Sequence, residues 1–298
     1  MMGSGYIEYV RSLGRRPSTL TAYEERLRLH LVPFFGSRPA DTITPDLIEE
    51  LLQTELATGM ARSSVYAHLY LLDSMYQRAM RNGWVSSNPA ALIRRPRLPR
   101  APQLRWLTIS ELERLCAAVP NGRWQETDRT IYLTAAMTGL RKGELLALRW
   151  QDVDQKARLV RVCASYSHSH FGPPKTNASH RTVPLGQRIC AELARHFEQT
   201  LFGEGTDFVF PHPIYGRVLH ASYLNERFRE ARSRAGLHEL KFHDLRNTYG
   251  TALAAVGAPM RAIQEWMGHV NYSTTATYVA FAPPPDTPLY YADKAFGV

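Results

Sequence analysis

His243 and Arg246 stand three residues apart in Lys-Phe-His-Asp-Leu-Arg-Asn-Thr-Tyr-Gly, residues 241–250. On a helix that spacing puts both on one face, where an imidazole and a guanidinium can hold a single oxyanion. Gly257 ends this helix. Pro259 suits the first turn of the next, Ile263 and Met267 repeat at i,i+4, and Gly268 stops it, so His269 is left on a turn. Tyr278 follows nine residues later on a short Ser/Thr-rich segment, close enough in sequence to fold back beside the same pocket. Upstream, Thr138-Gly139-Leu140-Arg141-Lys142-Gly143-Glu144 breaks one helix and starts another, which places Arg141 at a helix N-terminus, where free N–H groups already favour anions. Lys175 lies on a Pro-Pro-Lys-Thr-Asn turn, from which a mobile hairpin can deliver an ammonium to a bound substrate. Each residue alone is ordinary: a solvated His-x-x-Arg pair, a core tyrosine, a surface arginine, a turn lysine. The ordered set points to phosphate chemistry.

The elements that must position these groups fall into two parts. Met1 to Gly5 reads as a start scar or frayed end and is set aside. Ser18 caps a helix with Leu20, Tyr23, Leu27 and Leu31 at helical spacing, ended by Gly36. Thr44-Pro45 opens a second with Ile48, Leu51, Leu52 and Leu56 inward, closed by Gly59. Ser63 or Ser64 starts a third carrying Val65, Leu69, Leu72 and Tyr76, ended by Asn82-Gly83, and Asn88-Pro89 begins a last short turn. Residues 1–93 are therefore expected to be a helical bundle. Residues 94–105 are a basic linker in which Arg94, Arg95, Arg97 and Arg100 alternate with prolines, an extended strap able to lie along a phosphate backbone. Residues 106–298 form a second domain that opens on the capping box Thr108-Ile109-Ser110-Glu111. A helix from about Asp128 leads to Gly139. Strands at Leu159–Cys163 and Arg181–Leu185 follow, then helices at about Gly186–Leu201 and Ala221–Ala235, the latter stopped by Gly236. The proline-rich tail from about residue 282 cannot be a continuous helix.

At 298 residues, 44% hydrophobic, the chain is long enough for two globular domains. A net charge of +9, with arginine far commoner than lysine, suits a polyanion partner and bidentate phosphate contacts. Cys116, Cys163 and Cys190 are odd in number and widely spaced, so they are expected to be core thiols in a reducing compartment and not a disulfide framework. His168, His170 and His180 have no Asp, Glu or Cys to complete a ligand set, and no metal site is expected. No apolar run is long enough to cross a membrane and no signal core is visible, which implies a cytoplasmic protein.

Taken in order, Arg141, Lys175, His243, Arg246, His269 and Tyr278 resemble the catalytic set of the tyrosine recombinase (phage integrase) family, phage-type integrases more than Xer recombinases. The resemblance implies a mainly α fold with a small antiparallel β-sheet: an N-terminal helical domain that binds the core DNA site and an α+β catalytic domain. It further implies site-specific cleavage and rejoining of double-stranded DNA through a 3′-phosphotyrosyl intermediate without cofactor or metal, to integrate or excise mobile DNA. Tyr278 would be the nucleophile, Arg141 and Arg246 the phosphate clamp, His243 a proton acceptor or transition-state ligand, His269 a donor to phosphate, Lys175 the acid for the leaving 5′-oxygen, and Glu144 an orienting group. The working form would be a homo-oligomer, a tetramer on synapsed DNA, with a directionality factor as a further partner. Asn247 stands where many members have histidine, a departure expected to be harmless, and the sequence shows no separate arm-site-binding domain ahead of the bundle, which is expected to mean either a simple recombinase or a relative or fragment lacking arm-site recognition. An Xer-like resolvase, a type IB topoisomerase or hairpin telomere resolvase would use the same pocket. A non-catalytic DNA-binding regulator would not need the intact set, and a metal-dependent phosphohydrolase would be stopped by chelators.

Overall fold

The computed structural model of the chain describes residues 2–94, 104–167, 169–172 and 180–281. Arg95, Arg97, Arg100, His168, Lys175 and the proline-rich tail lie outside them. The chain divides into two compact units, Met1–Pro102 and Gln103–Val298. It is mainly helical, with two small antiparallel sheets.

The N-terminal unit is built from α1 (Met2–Ser12), α2 (Pro17–Arg26), a π-helical turn (Leu27–Leu31), α3 (Val32–Phe35), α4 (Pro45–Ala57) and α5 (Arg62–Arg81). The start of the chain departs from expectation, because α1 already begins at Met2 and sends Tyr6, Ile7 and Val10 into the core. Burial of those three side chains on one face, at roughly 1.5–3 kcal/mol each, explains why this end docks and does not fray. The second helix starts at Pro17 on an Arg16 N-cap, ahead of Ser18, since a proline at the first position needs no N–H partner. Thr44 caps α4 as expected, its Oγ1 accepting from the Leu47 N–H at 3.3 Å. Ile48, Leu51 and Leu52 are buried, whereas Leu56, one turn beyond, is 38% exposed because the core ends before the helix does. Val65, Leu69, Leu72 and Tyr76 form the buried stripe of α5, and the Tyr76 hydroxyl donates to the Ala40 carbonyl.

The second unit packs α6 (Ile109–Ala117), α7 (Gln125–Thr138), α8 (Lys142–Ala147), α9 (Gln187–Gln199), α10 (Ala221–Arg234), α11 (Phe242–Ala255), α12 (Met260–Met267) and α13 (Tyr272–Phe281) around small sheets. β1 (Val153–Asp154), β2 (Leu159–Val162) and β5 (Arg181–Pro184) form one antiparallel sheet with β2 central; β3 (Ser165–Ser167) and β4 (His170–Gly172) form a separate hairpin. Val160 faces Val183 across β2 and β5, and alternation along β5 turns Val183 and Arg181 to the buried side. The capping box of α6 is present, with Thr108 Oγ1 accepting from Glu111 N–H and the Glu111 carboxylate accepting from Thr108 N–H. Cys116 is buried but Cys163 is exposed and Cys190 half-buried, so the three are not uniformly core thiols; Cys163 follows the last residue of β2 and turns outward with the chain.

Candidate active site

Gly139 ends α7 in the left-handed conformation, φ 64°. A Cβ there would sit 2.5 Å from the Tyr249 ring, so glycine serves both the turn and the approach of α11 to α7. The turn delivers Arg141 to the N-cap of α8, as its sequence context suggests. Its guanidinium donates to Glu144 Oε1 at 2.9 Å and to the Gly268 carbonyl at 2.8 Å.

Glu144, almost fully buried, is the hub. Its two oxygens also accept from Arg181 at 3.0 and 2.9 Å and from the Arg141 backbone N–H at 2.8 Å. Burial alone would raise its pKa, but these donors outweigh it and hold the carboxyl below the usual range. With its lone pairs committed, Glu144 orients cations and is not free to react. Arg181 is a site residue that the motifs do not single out. Its one signal is the strand alternation, which places it on the same inward face as Val183, and its Nε also donates to the Trp266 carbonyl at 2.6 Å.

Arg246, in the second turn of α11, is 2% exposed and donates to the carbonyls of Gly139 and Met267. Desolvation, then repulsion from Arg141, bring its pKa down to about 9, with Glu144 opposing. A cation held in this way by backbone dipoles is preorganised for an anion. His243, three residues earlier, is exposed and lies near enough to His269 to oppose its protonation.

Gly268 closes α12 in the left-handed region, φ 62°, and His269 follows on the expected turn. His269 Nδ1 lies 2.9 Å from Thr275 Oγ1, and burial, then the charges of Arg246 and Arg141, push its pKa down to about 3. The ring is therefore neutral at physiological pH. Tyr278 is on α13, so the short Ser/Thr-rich segment is a helix, Tyr272 to Phe281 holding neither Gly nor Pro to break one. Its ring stacks on His269 with centroids 5.7 Å apart and planes 7° from parallel. Its hydroxyl donates to Asn247 Oδ1 at 3.2 Å. Burial raises the phenol pKa, with Arg246 and Arg141 opposing, so it is held protonated. Asn247 is thus engaged directly with Tyr278; its own amide is fixed by donation to Asp244 Oδ1 at 3.1 Å and to the Arg105 carbonyl at 3.3 Å. Gly250, about one turn along α11 from Asn247, leaves the room the tyrosine needs: a Cβ there would lie 2.9 Å from Tyr278 Cδ1 and 2.8 Å from Met267 Sδ.

The fold therefore brings together Arg141, Arg246, His269 and Tyr278, sets Glu144 and Asn247 among them, adds Arg181, and keeps His243 at the solvent side. Lys175 lies outside the described residues. Of the linker arginines, Arg94 is described and exposed.

The phage integrase family model matches residues 105–283, and that of the phage integrase N-terminal SAM-like domain matches residues 5–57. Tyrosine recombinase XerC of Pelobacter propionicus is 29% identical over 279 residues, 92% of this chain and 87% of that protein. Among solved structures, the Tn1549 transposon integrase in complex with a circular intermediate DNA superposes with a TM-score of 0.78 at 19% identity, covering 99% of each chain. A lambda integrase dimer bound to a COC′ core site superposes at 0.74 and 18% identity, covering 93% of each. At these identities the likeness is one of fold.

Proposed function

The chain belongs to the phage integrase family and is a site-specific tyrosine recombinase, an enzyme that breaks and rejoins DNA strands, and we propose that Tyr278 is its nucleophile. The observation that carries this reading is Tyr278, its hydroxyl held on Asn247 and its ring stacked on His269, beside the Arg246 and Arg141 guanidiniums. In the proposed step, Tyr278 Oη loses its proton and bonds to the scissile phosphorus. The bond from phosphorus to the 5′-oxygen breaks, leaving a 3′-phosphotyrosyl enzyme and a 5′-hydroxyl, and the phosphodiester's bond energy is kept for rejoining. Arg141 and Arg246 stabilise charge on the nonbridging oxygens, with Arg181 acting through the Glu144 carboxylate that it shares with Arg141. Neutral His269 donates to phosphate from Nε2 when the Thr275 hydroxyl donates to its Nδ1. His243 accepts the nucleophile's proton or binds the transition state, and Lys175 protonates the departing 5′-oxygen.

The N-terminal unit is proposed to bind the core site, with Arg94, Arg95, Arg97 and Arg100 along the DNA backbone. Four cytoplasmic copies on two synapsed sites, with a directionality factor, would complete recombination that integrates or excises mobile DNA.

The test is a half-site carrying a nick next to the scissile phosphate, which traps the covalent adduct. The parent protein should accumulate a tyrosine-linked species, and Tyr278→Phe should bind the same DNA and form none. Peptide mapping that finds the phosphate on Tyr249, Tyr272, Tyr290 or Tyr291 would remove Tyr278 from the role.

A further inference from the structure

We propose that His30, Glu55 and His68 form a binding site for a divalent transition metal ion of the zinc class in the N-terminal unit. Among the described residues this is the one convergent group of potential metal ligands, with one ligand atom from each residue all lying within 4.8 Å of one another. Nothing in the sequence announces it, because the three are separated by 25 and 13 positions in the chain and match no ligand-spacing pattern.

Three elements converge to make the group. Glu55 sits on the last full turn of α4 and His68 in the first half of α5, and both are almost fully buried. Glu55 Oε1 and Oε2 lie 2.8 and 2.9 Å from His68 Nδ1. His30 comes from the π-helical turn between α2 and α3, where the widened turn shifts the side chains relative to a continuous α-helix. Its Nδ1 is 3.4 Å from Glu55 Oε1, and its ring lies against that of His68 with centroids 4.4 Å apart.

A buried carboxylate needs one charged or donor partner, and His68 alone supplies it. The second imidazole, turned by the same nitrogen onto the same carboxylate, is more than the ion pair requires. Two imidazole nitrogens and one carboxylate oxygen are a ligand set for zinc. For bonds of about 2.0–2.2 Å, tetrahedral ligands stand about 3.3–3.5 Å apart. Of the separations from Glu55 Oε1, that to His30 Nδ1, 3.4 Å, already matches this span, and that to His68 Nδ1, 2.8 Å, must open by about half an ångström, while all three ligand atoms lie within 4.8 Å of one another. The His30 side chain is 28% exposed, so the fourth position opens to water and gives the ion a path in. Bound there, the ion would tie the π turn to α4 and α5, so its binding energy would stabilise this unit.

The experiment uses the full chain, free of any affinity tag and stripped of metal, titrated with cobalt(II). One equivalent should produce the intense visible ligand-field absorption of four-coordinate cobalt; zinc should displace it, and zinc alone should raise the thermal midpoint. His30→Ala leaves the Glu55–His68 pair intact, so it should fold like the parent while losing the absorption and the zinc-dependent shift. Absence of both signals in the parent would overturn the proposal. So would their survival in His30→Ala, which would place the ion elsewhere.

Discussion

In the N-terminal unit the buried carboxylate of Glu55 meets two imidazoles, whereas in the second unit that of Glu144 meets the guanidiniums of Arg141 and Arg181 while Arg246 is held by backbone carbonyls. In the first cluster one carboxylate faces two imidazoles. In the second, three guanidiniums lie about one carboxylate, and on the proposed function a bound phosphate would bring the balancing anion. A buried cation held by dipoles raises the free energy of the empty site, and that cost is recovered only when the ligand arrives. On these proposals, the two units separate a cluster that a cation would complete from one that an anion would complete.

The strongest test of the second cluster asks whether the leaving oxygen is handled apart from the nonbridging ones. If Lys175 is the acid, Lys175→Ala should slow cleavage by roughly 10²–10⁴-fold. Replacing the scissile 5′-bridging oxygen with sulfur, which leaves without a proton, should restore Lys175→Ala and help Arg141→Ala much less. Equal rescue of both would move Lys175 out of that role.

Next, the excess charge can be removed from either side. Arg246→Met should cost about 10²–10³-fold in half-site cleavage, as loss of one preorganised donor does, while the urea midpoint stays near the parent's. Glu144→Ala should instead unfold the unit more easily, by about 3–5 kcal/mol, because it takes the carboxylate away from buried Arg181 and half-buried Arg141. Similar stability losses in both variants would mean that Arg246 is as locally compensated as the N-terminal cluster.

Gly250→Ala probes positioning without touching charge. The added Cβ would crowd both Met267 and Tyr278, and if Tyr278 is the nucleophile, moving it by about 1 Å should cost on the order of 10²-fold in cleavage with DNA affinity unchanged. An unaffected rate would show that the position of the Tyr278 ring does not limit cleavage. For the joining segment, which belongs to neither cluster, neutralising Arg94, Arg95, Arg97 and Arg100 should flatten the salt dependence of binding by about 0.9 unit of slope for each phosphate that the segment neutralises. An unchanged slope leaves it a spacer.

The remaining test is of pH dependence. His269 has a folded pKa of about 3, below the ordinary histidine value, so below about pH 6.5 the unfolded chain takes up a proton that the folded one refuses. The associated stability is present above about pH 6.5 and is lost as pH falls toward 3. His269→Gln should therefore flatten that part of the acid limb in urea titrations. A limb that does not change would mean the imidazole is protonated in the fold.

Signals in the sequence are legible where the determinant is local. The Thr44 and Thr108 caps, the stops at Gly36, Gly257 and Gly268, and the stripe Val65, Leu69, Leu72 and Tyr76 depend on neighbours within a few residues. The same holds for Arg141 at its helix start and for His269 on its turn. The helix at Met2–Ser12 is hidden by a glycine-rich beginning, and its docking depends on a core contributed by α2 to α5.

Which groups are available, and in what order, is written in the chain: the arginines, histidines and tyrosine of the second unit, and the period of the helices that carry them. What those groups meet was settled by tertiary packing. Arg181 and Glu144 are 37 residues apart, Asn247 and Tyr278 31 apart, and His30 lies 25 residues from Glu55. Contacts at such separations follow from how helices and strands pack, and side-chain periodicity carries no information about which polar atoms will be opposed once the core excludes water. Charge compensation and the displaced pKa values arise from that packing, because desolvation and neighbouring charges act through space and not along the chain.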